Sequence, residues 1–435
     1  MRIERIGPGG SASEVLRALA RRARGRHLPP PAALTGTWFG AAAVLAPSVA
    51  AASCSPTAAF TIPPTPHETV PRETTAPEGL LIGGGWIGYV AYPDGADALP
   101  AAAGGWTDHV LRLDTSGCWW FESLRDEPCP DDVALAVRRP DTAPEPWRID
   151  WTVPDRDAHR RGVDDCRAAI TRGDVYQACV CTRFRGTVTG SPLDFFADAA
   201  ARTHPTRAAF VAGPWGAVAS LSPEVFLSRR GDTVTSSPIK GTLPLDADPA
   251  LLRASVKDVA ENVMIVDLVR NDLGRVATPG SVRVTDLLRV APAPGVWHLV
   301  STVAATLPDT VTTTDLLDAA FPPASVTGCP KHSARHLIAQ WEPQPRGLFC
   351  GTVGLHSPVA GLELNVAIRT VEFDTAGGVA LGVGGGITID SDPDAEWQEC
   401  LDKAHSLVTL TASSTRPGPT PASRNAPADP VSVPT

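Results

Sequence analysis

The sequence is poor in the features that mark nucleic-acid and membrane proteins. Only four of its 435 residues are lysine, its net charge is -9, and no basic cluster forms a stripe along it. A mildly acidic chain without such a stripe is not expected to bind nucleic acid. No apolar run approaches the roughly 18 residues that a membrane-spanning helix needs. Both partner classes are therefore excluded at this stage.

Cysteine spacings typical of a zinc site are also lacking. The nine cysteines are scattered, and Cys179 and Cys181 form the only close pair, which does not match a zinc pattern. The small apolar run from Gly40 to Cys54 loosely resembles a lipoprotein cleavage box, but it lies far from Met1 and contains Pro47. A secretory signal begins near the first residue. We therefore expect reduced thiols and a cytoplasmic location.

What is present is a large apolar fraction, 43% of the residues, which is ample for a sizeable core. Residues 35–150 alternate short apolar runs with Gly and Pro, a pattern typical of antiparallel strands. We predict a β-rich N-terminal portion over 1–150 that interleaves with the core, a catalytic portion over 151–412 and a disordered tail over 413–435. Within this scheme residues 140–155 are interpreted as a linker because they are rich in Pro and Asp.

Local patterns predict several elements in detail. Capping residues predict helices from Ser11 to about Arg24 and from Asp392-Pro393 onward. Val256 to Leu273 has apolar residues on more than one face, so we expect a largely buried helix. Val296 to Thr302, which contains His298, and Glu363 to Phe373, which contains Arg369, alternate as strands.

Two predicted helices each carry a pair of carboxylates on one face. The pairs are Asp258 with Glu261, and Glu396 with Glu399. Oxygen ligands on two rigid helices suit Mg²⁺, whereas two solvated helix faces explain the spacing equally well. The spacing alone leaves both interpretations open.

Three further features indicate chemistry on a small anion. Lys240 lies between Pro238 and Gly241, whose backbone restraints aim its side chain, although a surface lysine fits the same pattern. Arg369 lies between apolar residues, where a lone charge is costly and usually pairs with a carboxylate. The run Gly384 to Gly386 permits close approach of an anion, or simply a tight strand end. Together they favour a Mg²⁺-dependent enzyme for a small carboxylated substrate, with a possible lysine nucleophile.

Longer motifs carry a resemblance to a known family. The runs are GDVYQ at 173–177, SPE at 222–224, PIKGTLP at 238–244, AENVMIVDLVRNDLGR at 260–275, HLVST at 298–302, SVTGCPK at 325–331, IRT at 368–370 and DSDPDAEWQECLDK at 390–403. In this order, and over residues 160–410, they resemble the chorismate-utilising enzymes. The resemblance implies an α/β (α+β) fold with two packed antiparallel β-sheets flanked by helices and an active site in the cleft between the sheets.

The resemblance also implies roles for individual residues. Lys240 would attack chorismate, Glu224 would act as the acid, and His298 and Gln177 would complete the catalytic set. Burial and a nearby Mg²⁺ would depress the pKa of Lys240. Substrate would be bound by Arg369, Lys403, Gly385, Gly386, Thr327, Gly328 and Thr242. Mg²⁺ would be held by Glu261, Glu399, Glu396 and Asp258.

Three positions separate the branches of the family. Lys240 is similar to the lysine of aminodeoxychorismate synthase large subunits, Gln177 differs from the water-activating lysine of isochorismate synthases, and Asn262 differs from the usual histidine of anthranilate synthases. The implied reaction converts chorismate and ammonia to 4-amino-4-deoxychorismate, on the way to p-aminobenzoate and folate. Anthranilate synthase is the alternative. The sequence lacks a glutaminase nucleophile motif, so we expect a separate glutamine amidotransferase subunit to supply ammonia.

Overall fold

The computed structural model describes residues 1–63, 75–76, 79–95, 97–140 and 143–412. The fold is mixed α/β, with two large antiparallel sheets packed face to face and helices on their outer sides. This confirms the predicted fold class. The predicted disordered tail, 413–435, lies outside the described residues.

The helices alternate irregularly with strands along the chain. They are α1 Ala12–Gly25, α2 Asp131–Arg138, α3 Arg156–Arg172, α4 Pro192–Thr203, α5 Ala250–Ala254, α6 Val256–Gly274, α7 Thr313–Ala320, α8 Lys331–Trp341 and α9 Pro393–Val408, with a 3₁₀ turn at Ala324–Val326. None of these described helices combines the length and apolarity that crossing a membrane requires.

The strands before α3 are β1 Arg2–Pro8, β2 Ala32–Trp38, β3 Ala41–Ala46, β4 Ala52–Ser53, β5 Thr75–Ala76, β6 Gly79–Leu80, β7 Gly85–Val90, β8 Ala102–Thr107, β9 His109–Leu113, β10 Cys118–Ser123 and β11 Trp147–Thr152. Those after α3 are β12 Gln177–Gly190, β13 Arg207–Gly213, β14 Gly216–Ser222, β15 Val225–Arg230, β16 Thr233–Ser237, β17 Ile239–Pro244, β18 Arg283–Ala293, β19 Val296–Thr306, β20 Gly328–Cys329, β21 Thr352–Ser357, β22 Gly361–Asn365, β23 Thr370–Phe373 and β24 Gly378–Ile387.

The first sheet has the order β1-β10-β9-β3-β2-β13-β14-β23-β24-β12-β11, with β20 beside β12. The second has the order β17-β19-β16-β15-β22-β21-β7-β8-β4, with β18 beside β19. Leu34, Val44 and Val218 of the first sheet share one apolar core with Tyr89 and Val353 of the second. The division into portions at residue 150 stays a prediction, and strands from both sides of it lie in each sheet.

Three predictions about elements are wrong. The proposed linker contains β11, which pairs with β12 from Trp147 to Thr152; the Pro-rich flanks conceal its alternation of apolar and polar residues. The single strand expected from Glu363 to Phe373 is two strands, β22 and β23, in different sheets. Helix α6 is less buried than expected, because its outer face, with Val256 and Val263 at 84% and 44% exposure, points away from the second sheet.

The chain crosses between the sheets several times, and two of these crossings lie side by side. The first of the two, between β14 and β15, is at Glu224, and the second, between β22 and β23, runs through residues 366–369. The amide of Val366 donates to the carbonyl oxygen of Glu224 at 3.0 Å, and the amide of Leu221 donates to that of Arg369 at 2.9 Å. The two crossings are therefore tied together, and each places a charged residue between the sheets.

Asn365, at the end of β22, ties the sheets through its side chain. Its Oδ1 accepts from the amide of Val353 at 3.0 Å, and its Nδ2 donates to the carbonyl oxygen of Arg207 at 2.9 Å and to Ser220 Oγ at 3.1 Å. Val353 belongs to the second sheet, whereas Arg207 and Ser220 belong to the first. One buried amide therefore fixes the crossing relative to both sheets.

Replacing Asn365 with Ala should destabilise the fold by about 3 kcal/mol, because several buried polar groups lose their partner. Urea unfolding measures the loss. Asn271→Ala, at an exposed position of α6, should stay within about 0.5 kcal/mol of the parent. Equal stability of the two variants would contradict the assigned role of Asn365.

Candidate active site

Lys240 extends from β17 into the space between the second sheet and helix α6. Its Nζ lies 4.0 Å from Glu261 Oε2 on α6, and the side chains are 14% and 10% exposed. The neighbouring Gly241 has φ 89°, and a Cβ there would stand 3.1 Å from Asp258 Cβ and Cγ. Glycine therefore permits both the backbone conformation and the close approach of β17 to α6. The predicted geometry around Lys240 is present.

The lowered pKa expected for Lys240 beside Mg²⁺ stays a prediction, and in the protein without metal the pKa of this amine is raised. Burial by itself lowers the pKa of this amine. The negative charge of its neighbours outweighs burial and raises the pKa; in decreasing order of effect the neighbours are Cys179, Glu261, Glu224 and Glu399. The charged ammonium is therefore the favoured form until some of this negative charge is compensated.

Glu224 is a buried carboxyl at the first crossing between the sheets, 4% exposed. Burial raises its pKa to about 7, against the opposing effects of the Ser325 hydroxyl and of Lys240. A carboxyl with such a pKa is about half protonated at neutral pH and largely protonated below it, and the protonated form is the one that donates a proton. The raised pKa therefore suits the acid role that the resemblance implies for Glu224.

Helix α9 presents Glu396 and Glu399 at the end of β24. A Cβ on Gly385 would stand 2.9 Å from Glu396 Oε2 and 3.8 Å from Glu399 Oε1, so both carboxylates meet at this glycine. Lys257 Nζ on α6 lies 3.3 Å from Glu396 Oε1, and Lys403 Nζ lies 2.7 Å from Glu399 Oε1. Each carboxylate is therefore paired with a lysine, Glu396 with Lys257 of α6 and Glu399 with Lys403 of α9 itself.

The donor chemistry of these side chains fits a hard divalent cation. Lys240 interacts with both Glu261 of α6 and Glu399 of α9. Burial and the charges of Asp258 and Glu396 raise the pKa of Glu261. Among the described residues, however, no three His, Cys, Asp or Glu side chains lie close enough together to hold a metal ion. The carboxylates are paired with Lys257 and Lys403 instead. The Mg²⁺ site stays a prediction.

Arg369, between β22 and β23, and His298, on β19, lie close to each other. Arg369 has φ 49° at the second crossing, so the expected mid-strand position is wrong. Burial lowers the pKa of its guanidinium, and no acidic side chain of the described residues forms an ion pair with it. Burial and the charge of Arg369 also lower the pKa of His298 to about 4, so this imidazole is neutral. An unpaired guanidinium in a buried cleft is suited to a carboxylate ligand.

Three polar side chains near the cleft differ in whether the protein already satisfies their hydrogen bonds. Thr242 Oγ1 and His298 Nδ1 share a hydrogen bond of 2.9 Å. Thr327 Oγ1 donates to the carbonyl oxygens of Pro323 and Ala324 at 3.1 and 3.2 Å, so this hydroxyl stabilises the 3₁₀ turn. Gln177, by contrast, is 1% exposed, and its amide atoms make no hydrogen bond to any described residue.

Two glycines lie against Gln177, one at its side-chain amide and one at its main chain. A Cβ on Gly386 would stand 2.2 Å from Gln177 Nε2 and 3.3 Å from Lys240 Nζ, so only glycine leaves room for both groups. Gly328 pairs with Ala178 across β20 and β12, and its Cβ would stand 2.4 Å from the carbonyl oxygen of Gln177. Gly386 therefore lies beside both Gln177 and Lys240, and Gly328 lies against the main chain of Gln177.

Two contributors were missed from the sequence. Lys257 contacts Glu396. Its position one helical turn before Glu261 could have identified it from the sequence as part of the site. Asn262 was used only to compare branches. In the structure its Nδ2 donates to the carbonyl oxygen of Leu299 at 3.1 Å, and its Oδ1 accepts from Ser301 Oγ. Asn262 therefore fixes α6, which carries Glu261, against β19, which carries His298.

The comparisons with known proteins identify the family of the chain. The family model of chorismate binding enzymes matches residues 67–409, and the chain belongs to this family. Over 249 residues the chain is 43% identical to aminodeoxychorismate synthase component 1 of Salmonella typhimurium, covering 56% of this chain and 55% of the relative. It is 38% identical to the protein of the same name in Escherichia coli (strain K12), covering 66% of this chain and 62% of the relative. The chain thus spans about 55 to 62% of the length of these two relatives.

Relatives with a different name also match. An anthranilate synthase component I-like protein of Synechocystis is 34% identical over 76% of this chain and 73% of its own length. Among solved structures, anthranilate synthase component I from Streptococcus pneumoniae has a TM-score of 0.65 at 27% identity, covering 77% of this chain and 83% of that one. The menaquinone-specific isochorismate synthase from Escherichia coli has a TM-score of 0.69 at 19% identity, covering 94% of each chain, and shows the shared fold.

Glu224 should titrate near pH 7, which infrared difference spectra measure through the C=O stretch of a protonated carboxylic acid. The band should be present below about pH 7 and lost above it, since the raised pKa keeps the proton up to that pH. Glu224→Gln should remove the band. Lys240→Met should move the midpoint upward, because Lys240 lowers the pKa of Glu224. A midpoint near 4 in the parent would show that the carboxyl is not desolvated.

Proposed function

We propose that this protein converts chorismate and ammonia to 4-amino-4-deoxychorismate, as the large subunit of an aminodeoxychorismate synthase. The observation that carries the proposal is the buried amine of Lys240 in the same cleft as Glu224, a carboxyl with a pKa of about 7. A nucleophile and a proton donor placed together allow covalent catalysis. Relatives named aminodeoxychorismate synthase component 1 support the choice.

The proposed reaction has two displacement steps. In the first, the neutral amine of Lys240 forms a bond to C2 of chorismate, the ring double bonds shift, and the C4–O bond breaks. Glu224 gives its proton to the departing hydroxyl, which leaves as water. In the second, ammonia forms a bond to C4, and the bond between C2 and Lys240 breaks and returns its electron pair to the amine. The ionised Glu224 recovers a proton from the added nitrogen.

The remaining residues of the cleft bind the substrate. Arg369 is the described cation best suited to a substrate carboxylate, because no protein carboxylate pairs with it. Lys403 supplies a second cation beside Glu399, and its Nζ also donates to the carbonyl oxygen of Gly384 at 2.7 Å. His298, held by Thr242, presents a neutral imidazole beside Arg369.

Mg²⁺ is the proposed cofactor, and Glu261 and Glu399, with Glu396 and Asp258 behind them, would hold it. When bound it would act as a Lewis acid on a substrate carboxylate. Compensating the charges of Glu261 and Glu399 also removes two of the four effects that raise the pKa of Lys240, which shifts the balance toward the neutral amine that burial favours.

The source of ammonia is proposed to be a separate glutamine amidotransferase subunit, in line with the term component 1 in the names of the relatives. A cytoplasmic location is part of the same proposal. Anthranilate synthase is the second candidate, because relatives and a structural neighbour bear that name. It would release pyruvate and form an aromatic product.

Product analysis separates the two candidates. The protein is incubated with chorismate, Mg²⁺ and ammonium without any lyase, and the products are followed by fluorescence and by chromatography with mass detection. We expect 4-amino-4-deoxychorismate with the pyruvyl group retained. Lys240→Met should abolish its formation while the fold is kept, which excludes a catalytically silent subunit. Anthranilate fluorescence from the parent would reject the proposed function.

A further inference from the structure

Lysine is rare in this chain and is concentrated at the carboxylates of the cleft. The chain has 38 lysines and arginines together, and only four of them are lysine. Three of these four, Lys240, Lys257 and Lys403, have their Nζ within 4.0 Å of a glutamate oxygen of α6 or α9. The chain therefore uses arginine for most of its positive charge but lysine beside these acids.

The two basic side chains differ in how they hold a carboxylate. Arginine can bind both oxygens of a carboxylate with its planar fork, whereas lysine is a compact charge on a flexible stem. A lysine partner is therefore displaced by another cation more easily than an arginine partner. Lysine at all three positions suits acids that exchange one counter-ion for another.

Lys257 is the least confined of the three lysines. Its side chain is 49% exposed, against 14% for Lys240 and 39% for Lys403. Its Nζ lies 3.3 Å from Glu396 Oε1, and the side chain of Glu396 is only 4% exposed. The ammonium of Lys257 can move into solvent, whereas the carboxylate of Glu396 stays buried and then needs another positive charge.

The charge of Lys257 acts on the acidic cluster as a whole. Besides its ion pair with Glu396, it interacts electrostatically with Glu261 and Glu399. These are three of the four acids proposed for Mg²⁺, and among the described residues no three metal-binding side chains lie close enough together to hold an ion. Lys257 thus supplies positive charge to the same acids that the proposed metal would neutralise.

We propose that Lys257 is a displaceable counter-ion of Glu396, Glu261 and Glu399, and that it competes with Mg²⁺ for these carboxylates. This deepens the proposed function and rests on its Mg²⁺ cofactor. Lys257 is a positioning residue, because it neutralises the acids in the metal-free protein. Its removal should therefore make Mg²⁺ bind more tightly. A purely structural link between α6 and α9 would have the opposite effect, because its loss would loosen the site.

Titration calorimetry of the full metal-free chain with MgCl₂, without chorismate, tests the competition. Lys257→Met removes the competing cation, so its Kd for Mg²⁺ should fall roughly tenfold, as expected for one charge lost from a partly buried site. Lys257→Arg keeps the charge but holds carboxylates more firmly, so its Kd should rise at least about threefold. Arg270→Met removes a charge that is 50% exposed, roughly 20 Å further along α6. This control should keep the parent Kd.

Thermal unfolding gives a second readout that needs no turnover. Without Mg²⁺, Lys257→Met should have a lower Tm than the parent, because Glu396 is left buried without its counter-charge. Saturating Mg²⁺ should raise the Tm of this variant more than it raises that of the parent.

Three results would overturn the proposal. They are absent, equal or weaker Mg²⁺ binding in Lys257→Met, tighter binding in Lys257→Arg, and a Tm loss in Lys257→Met that Mg²⁺ does not restore. If the parent releases anthranilate, the proposed function fails, whereas the Kd for Mg²⁺ still tests Lys257.

Discussion

The site depends on one electrostatic constraint, the confinement of a lysine beside the two buried acids Glu224 and Glu261. Lys240 lies 4.0 Å from Glu261 and also feels the charges of Glu224 and Glu399, and these neighbours outweigh the effect of burial on its amine. In a poorly hydrated cleft such interactions are strong, so compensating any one charge changes the protonation of the others. The chemistry proposed for Lys240 and Glu224 follows from this coupling, since binding of a cation and an anion rearranges the same small set of protons.

The two sheets create this confinement. Glu224 and Arg369 each lie where the chain passes from one sheet to the other, and main-chain hydrogen bonds tie the two crossings together. Asn262 fixes α6 against β19, which sets Glu261 relative to His298. Catalytic groups at such crossings are held by strand pairing on both sides, which suits a site that must keep buried charges apart at fixed distances.

Much of this arrangement could be predicted from the sequence. Lys240 and Glu261 belong to long motifs, Gly386 ends the glycine run at 384–386, and α9, which carries Glu399, was indicated by Asp392 and Pro393. Three features could not be predicted. The split of Glu363 to Phe373 into two sheets is a tertiary effect that leaves the local alternation intact. The raised pKa of Lys240 depends on Cys179 and on acids far away in the chain. The lack of hydrogen-bond partners for the buried Gln177 amide among the described residues can be recognised only once its surroundings are known.

The central claim is that the amine of Lys240 attacks chorismate directly. The most direct measurement is the intact and peptide mass of the protein after incubation with chorismate and Mg²⁺ in the absence of ammonia. A gain equal to chorismate less one water, located on the peptide with Lys240 and discharged by adding ammonium, is the predicted result. An unmodified Lys240 in protein that turns over normally once ammonium is supplied would contradict the account.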